Sequence, residues 1–219
     1  MRSRESRAQI FAEITRESRE VRQEYVRSFF EEAKQFANVM GDVMSEWLSA
    51  YESPRLDAAK KKVLALAYAA ISLHVSSMKL FLAGQQVASG NVMRQALEAI
   101  AVTFLCSEKD LGVLDRFDSD EYSTKNAIRD LRTHCRRVRV KKSALGALEH
   151  AQKFYSTFSH PSKLTLGTLE SFAGEGIYVG AAYDPGKLKY YRSEIANRIR
   201  LAKVFPSFLQ VVLRNLNAW

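Results

Sequence analysis

The sequence predicts a mainly α-helical bundle of about six helices, with one small β-hairpin before the C-terminal helix. Three observations carry this. Apolar residues recur at steps of three, four and seven along most of the chain, which is the period of a helix with one buried face. Only 10 Gly and 4 Pro interrupt 219 residues, so long helices are favoured. A single stretch near 164–183 changes to an alternation of period two.

The first helix is expected over about 3–50. Ile10, Ile14, Val21, Tyr25, Phe29, Phe36, Met40, Val43 and Trp47 share one amphipathic face. The stripe is narrow over the first twenty residues and broadens near Phe36, so its start suits a protruding element and its end a core. Ser53-Pro54 marks a turn, because Pro fits the first turn of a helix and not its middle. Residues 1–52 are therefore read as a long N-terminal helix and association element, and 53–219 as the bundle.

A second helix is expected over about 55–87, with a bend at Gly84, and a third over 91–107. Val92, Ala96, Leu97, Ala99, Ile100, Val102, Phe104 and Leu105 almost encircle the third helix, which places it at the centre. After a polar loop at 108–121, the fourth and fifth helices cover about 122–139 and 143–159. Leu164, Leu166 and Leu169, then Ile177, Val179 and Ala181, flank Ala173-Gly174-Glu175-Gly176 and predict the hairpin. The last helix runs from about 187 to 216, with a kink at Pro206.

A hydrophobic share of 47% is enough to build a core and gives no indication of disorder. Cys106 and Cys135 form no disulfide framework and no CxxC spacing, so reduced thiols and a cytoplasmic location are expected. The N-terminus has no apolar signal-peptide core. The apolar stretch 63–83 is long enough to span a bilayer, but it carries Ser72, His74, Ser76, Ser77 and Lys79. Lysine at membrane depth is costly, so the stretch reads as a core helix and no membrane is expected.

Charge is concentrated in one place. Residues 129–142 hold seven basic side chains, Arg129, Arg132, Arg136, Arg137, Arg139, Lys141 and Lys142, against one acid, Asp130. That is +6 of the chain's +9, so the remainder is close to balance. So local a charge points to RNA or another polyanion as partner; the plain alternative is a solvated helix face.

The same segment holds Arg129 and His134, which resemble the Rx4–6H motif of HEPN-domain proteins, small helical bundles that often act as metal-independent ribonucleases. The resemblance implies that Arg129 and His134 act on one RNA phosphate, at a cleft between two protomers. Arg offers a bidentate fork to phosphate, and His can move a proton from a ribose hydroxyl near neutrality. A separation of five residues sets the two side chains about 140° apart on a helix, able to flank a phosphate rather than pair. HEPN motifs open the last helix of a short bundle; here a helix, a hairpin and another long helix follow.

A second set of polar residues is Arg94, Glu98, Tyr155, Ser159 and His160. Arg94 and Glu98 are at i,i+4 in the apolar third helix and suit a structural ion pair. Tyr155, Ser159 and His160 end the fifth helix before Pro161, where His160 suits a C-terminal cap. A polar pocket shared by all five is the sharper alternative. An Arg-x3-Glu helix, a Tyr-x3-Ser-His helix end and a Gly-turn hairpin also resemble a diffuse group of bacterial all-helical proteins, some regarded as HEPN-like. That resemblance implies a fold more than an activity.

His74 reads as a core histidine and His150 as an exposed one. His134-Cys135 has no further ligand at metal spacing, so no metal is expected. There is no Walker loop, Rossmann fingerprint, HExxH or GxSxG, so no cofactor is expected. Two functions follow: a non-catalytic binding or accessory module with a basic, RNA-binding face, and, as the alternative, a HEPN-like endoribonuclease using Arg129 and His134. Self-association as a homodimer through the N-terminal helix is also expected, because a lone helix of this kind is marginal in water.

Overall fold

The computed structural model describes residues 2–15, 18–54 and 56–219. Helix α1 spans Arg2–Thr15, α2 Arg19–Ser28 and α3 Phe30–Tyr51. The continuous helix expected over 3–50 is thus divided. The break between α2 and α3 falls at Phe29, whose backbone leaves the helical region at φ −136°. No Gly or Pro marks it. Phe29 is itself buried, with its ring against those of Tyr25 and Phe81.

Helix α4 (Ala58–Leu82) starts where the Asp57 side chain accepts the Lys60 amide, an N-cap that Asp favours. It is the one described helix long and apolar enough to cross a membrane. In the bundle it buries Val63, Leu64, Ala67, Ala70, Ile71, His74 and Phe81. A tight turn leads to α5 (Gln86–Cys106), which packs along α4. Gly84 takes φ +76° in that turn, and a Cβ there would lie 2.6 Å from Val21, so only glycine fits.

Helix α5 is central: it contacts α4 and also α6 (Val113–Asp118), α7 (Ala127–His134), α8 (Lys142–Ser156) and α9 (Lys163–Leu169). Every residue from Ile100 to Ser107 is buried, as the near-encircling apolar pattern predicts. Helix α3 packs against α4, α10 (Leu188–Ala202) and α11 (Phe205–Leu216), and Phe36, Met40 and Val43 enter the core. Residues 30–51 therefore belong to the bundle, and α1 is the part of the first fifty that stands off it. The last helix is divided at Lys203-Val204, with Pro206 in the first turn of α11.

The expected β-hairpin is absent: no strand forms among the described residues. Residues 163–169 are helix α9 instead. Ser162 Oγ accepts the Thr165 amide at 3.1 Å, and Thr165 Oγ1 accepts the Ser162 amide at 2.7 Å. This reciprocal cap starts a helix where the leucine alternation suggests a strand. Downstream, Glu170 and Ile177 make one isolated antiparallel bridge. Ile177 and Val179 stay exposed, so the pair has no buried apolar face, and two short strands without one are marginal in water.

Asp184 shapes this loop. Its carboxylate accepts the amides of Phe172 at 2.7 Å and Gly186 at 2.8 Å. Burial would raise its pKa, but these two amides, with Tyr178 and Lys187, outweigh that and hold it below the usual value. Lys187 is buried beneath the rings of Phe172 and Tyr178 and donates to the Thr168 carbonyl at 2.9 Å. Burial, opposed by Asp184 and Glu170, pulls its pKa down.

Candidate nucleic-acid interface

Helix α7 is amphipathic and short. Ala127, Ile128 and Leu131 face the core, followed by Cys135 and Val138 in the turns beyond it. The basic residues occupy the intervening positions. Arg129, Arg132, Arg136, Arg137, Arg139, Lys141 and Lys142 are all exposed. The fourth helix expected to reach 139 ends at His134, so Arg136, Arg137 and Arg139 lie on a tight irregular turn.

The turn is anchored firmly. The His134 carbonyl accepts the amides of Arg137 and Val138, and the Cys135 carbonyl accepts the Val140 amide at 2.8 Å. Arg139 takes the left-handed region at φ +60°, a conformation disfavoured without glycine, and its guanidinium donates to the Arg214 carbonyl at the end of α11. Buried Asn215 donates to the Val138 carbonyl and to Ser107 Oγ. The cations therefore project from a fixed backbone.

Three of them meet carboxylates. Arg129 pairs with Asp130 at 3.2 Å, Arg132 with Glu149 at 3.6 Å and Arg137 with Asp110 at 3.6 Å. These pairs are exposed, and such pairs are weak and easily exchanged for another anion. Arg136, Lys141 and Lys142 have no carboxylate partner among the described residues.

No hydrogen bond links Arg129 to His134 among the described residues, in keeping with side chains set about 140° apart on one helix. The Arg129 guanidinium turns to Asp130, which also accepts the Tyr122 hydroxyl at 3.1 Å. His134 is half-buried at the last position of α7, and its ring makes no hydrogen bond or ion pair among the described residues.

The second polar set divides in two. Arg94, Glu98 and Ser159 do meet: Arg94 Nε donates to Glu98 at 2.9 Å and Nη1 to Ser159 Oγ at 2.8 Å. Ser159 in turn donates to Asn91 Oδ1, and Asn91 Nδ2 to the Phe158 carbonyl. The set fastens the end of α8 to α5. Gly90 permits this approach, since a Cβ there would sit 2.4 Å from the Phe158 ring. His160 is exposed outside it, and only its carbonyl is engaged, by the Thr165 hydroxyl.

Tyr155 points the other way, into a buried network that the sequence reading missed. Its hydroxyl donates to Glu194 Oε2 at 3.3 Å. Glu194 binds Arg198 Nη1 at 2.8 Å, and Arg198 Nη2 reaches Ser89 Oγ at 2.5 Å. Ser89 and Ser77 exchange hydrogen bonds with each other's carbonyls, joining α5 to α4. His74 Nε2 lies 3.0 Å from the Arg198 carbonyl, with its ring stacked on Phe205. The available signal was Glu194-x3-Arg198 set inside the apolar stripe Tyr191, Ile195, Ile199 and Ala202.

Burial sets the chemistry of these groups. It lowers the His74 pKa to about 3, so the ring is neutral. It raises the Tyr155 and Tyr190 hydroxyls well above their ordinary value. It pushes the Cys106 thiol up to about 12, which removes its nucleophilicity. No group of three His, Cys, Asp or Glu side chains among the described residues is arranged to hold a metal.

The molecule is thus an all-α bundle with a basic turn on its surface and a closed polar network inside. No protein-family model matches the chain, and no curated protein or solved structure matches it significantly.

Proposed function

We propose that this protein is a non-catalytic binding module that holds RNA or a similar polyanion on the turn 135–142 and the adjoining face of α7. The observation that carries the reading is that all seven basic side chains of 129–142 are exposed, on a backbone fixed by Asn215 and by Arg139. A rigid cluster of cations loses little freedom on binding and releases counterions from phosphates. Arg136, Lys141 and Lys142 offer free charge, and the weak pairs of Arg129, Arg132 and Arg137 can open to a phosphate.

The binding reading is favoured over the HEPN-like ribonuclease because it needs only the exposed charge, whereas cleavage also needs an oriented base, and the half-buried His134 ring has no hydrogen-bond partner to orient it among the described residues. The test uses a single-stranded RNA at low and at moderate salt, with cleavage of the same RNA followed for wild type and His134→Ala. Salt-sensitive binding with no cleavage is expected. Cleavage by wild type that His134→Ala abolishes would replace the module with the nuclease. No binding at low salt would remove both.

A further inference from the structure

Among the apolar side chains exposed outside the basic face, two groups lie close together. The first is the arm α1. Ile10, Phe11 and Ile14 are 53%, 66% and 75% exposed and lie on one stripe of the helix with Arg4 and Arg7. The arm is tied to the body where Glu13 accepts the Ala181 amide at 3.2 Å. A 14-residue helix with a bare apolar stripe is marginal in water by itself.

The second surface lies at the other end of that tie, in α9 and the loop after it. Leu166, Leu169, Phe172 and Ile177 are exposed there, with Phe172 at 62% and Ile177 at 74%. Residues 164–186 contain no Lys or Arg, while Glu170 and Glu175 are exposed among the apolar side chains. Of the two cations that bound this stretch, Lys187 is buried beneath the Phe172 and Tyr178 rings and Lys163 is exposed at the start of α9.

The two surfaces are complementary in charge. Arg4 and Arg7 head the arm's stripe, and neither has a carboxylate partner among the described residues. Glu170 and Glu175 are likewise in no ion pair. We infer that the occupant of each surface is a second copy of this chain: the arm of one copy lies on the loop face of the other, and the reverse. A reciprocal exchange closes a two-fold pair and covers both apolar surfaces twice, with Arg4 and Arg7 facing the partner's acidic rim. This inference is independent of the RNA reading, since it uses no residue of the basic turn.

Sedimentation and light scattering at micromolar concentration test it on the full chain without RNA. Wild type is expected at twice the chain mass of 24.8 kDa. Phe11→Asp with Ile14→Asp, and separately Phe172→Asp with Ile177→Asp, should each give monomer, with circular dichroism unchanged. Arg4→Glu with Arg7→Glu should weaken dimerisation at least tenfold at low salt. Adding Glu170→Lys with Glu175→Lys should restore it, a rescue that loss of folding could not produce. A monomeric wild type overturns the inference. So does a dimer that survives the Phe172 and Ile177 changes, which would mean that arm pairs with arm. A monomer that binds anionic vesicles through Phe11 and Ile14 would assign the arm to a membrane surface and overturn it as well.

Discussion

Glu194 and Arg198 form an ion pair inside the bundle, 2.8 Å apart, with side chains only 2% and 1% exposed. Taking two charges out of water is costly, and the contacts around them offset it. Arg198 also binds Ser89 and lies over the Phe81 ring, while Glu194 also accepts from Tyr155. The pair thereby joins α10 to α5 and to the end of α8.

Removing one partner should be worse than removing both. Glu194→Leu leaves the Arg198 charge buried without its partner and should cost about 3–5 kcal/mol. Glu194→Leu combined with Arg198→Met should recover much of that loss. Urea unfolding of the three proteins checks the order; a double variant less stable than Glu194→Leu alone would contradict it.

His74 makes stability depend on pH. Its pKa is about 3 in the folded chain against 6.5 for a free imidazole. The unfolded state therefore binds a proton that the folded state refuses, and stability must fall as pH drops below about 6.5. The contribution of this one group at pH 5 should be a loss on the order of 2 kcal/mol relative to neutral pH. His74→Phe, whose ring can also stack on Phe205, should flatten that part of the pH profile. Thermal melts from pH 7.5 to 5 would read it directly.

Gly90→Ala should destabilise. Alanine favours a helix over glycine by about 1 kcal/mol, but its Cβ would lie 2.4–2.8 Å from three atoms of the buried Phe158 ring. Overpacking of this kind costs about 1–3 kcal/mol, so the steric term wins. A rise in melting temperature would show that Phe158 moves aside freely.

The thiol of Cys106, pushed up to about 12 by burial, should resist alkylation in the native protein and react at once on unfolding. Counting thiols labelled by iodoacetamide, with and without urea, gives the answer. Rapid labelling of Cys106 in the native chain would mean that α5 opens locally.

The basic turn should show itself in the salt dependence. Each phosphate contact to a single strand contributes about 0.7 to the slope of log affinity against log salt. Arg136→Ala with Lys141→Ala and Lys142→Ala should therefore flatten the slope by about 2, with little change in stability. An unchanged slope would place the RNA elsewhere.

Helix content, the central place of α5 and the break near Pro206 were legible in the sequence, because period, glycine scarcity and proline act locally. The concentration of charge at 129–142 was legible too, as was the pairing of Arg94 with Glu98, which i,i+4 spacing imposes on any helix. The hairpin was misread because leucine spacing at 164–169 fits either element over so few residues. Ser162 and Thr165 decide it by capping a helix, and the exposed Ile177 leaves the following segment with nothing to bury.

Other features needed the tertiary structure, because they depend on residues far apart in the chain. At the break in the first fifty residues, the Phe29 ring packs on Phe81, fifty-two positions on. Tyr155 joins Glu194, thirty-nine residues away, rather than Arg94. Arg129 and His134 share α7, and the Arg129 guanidinium meets the adjacent Asp130. Local pattern fixed which segments coil and where charge collects; only packing, which trades desolvation against distant partners, decided which side chains meet.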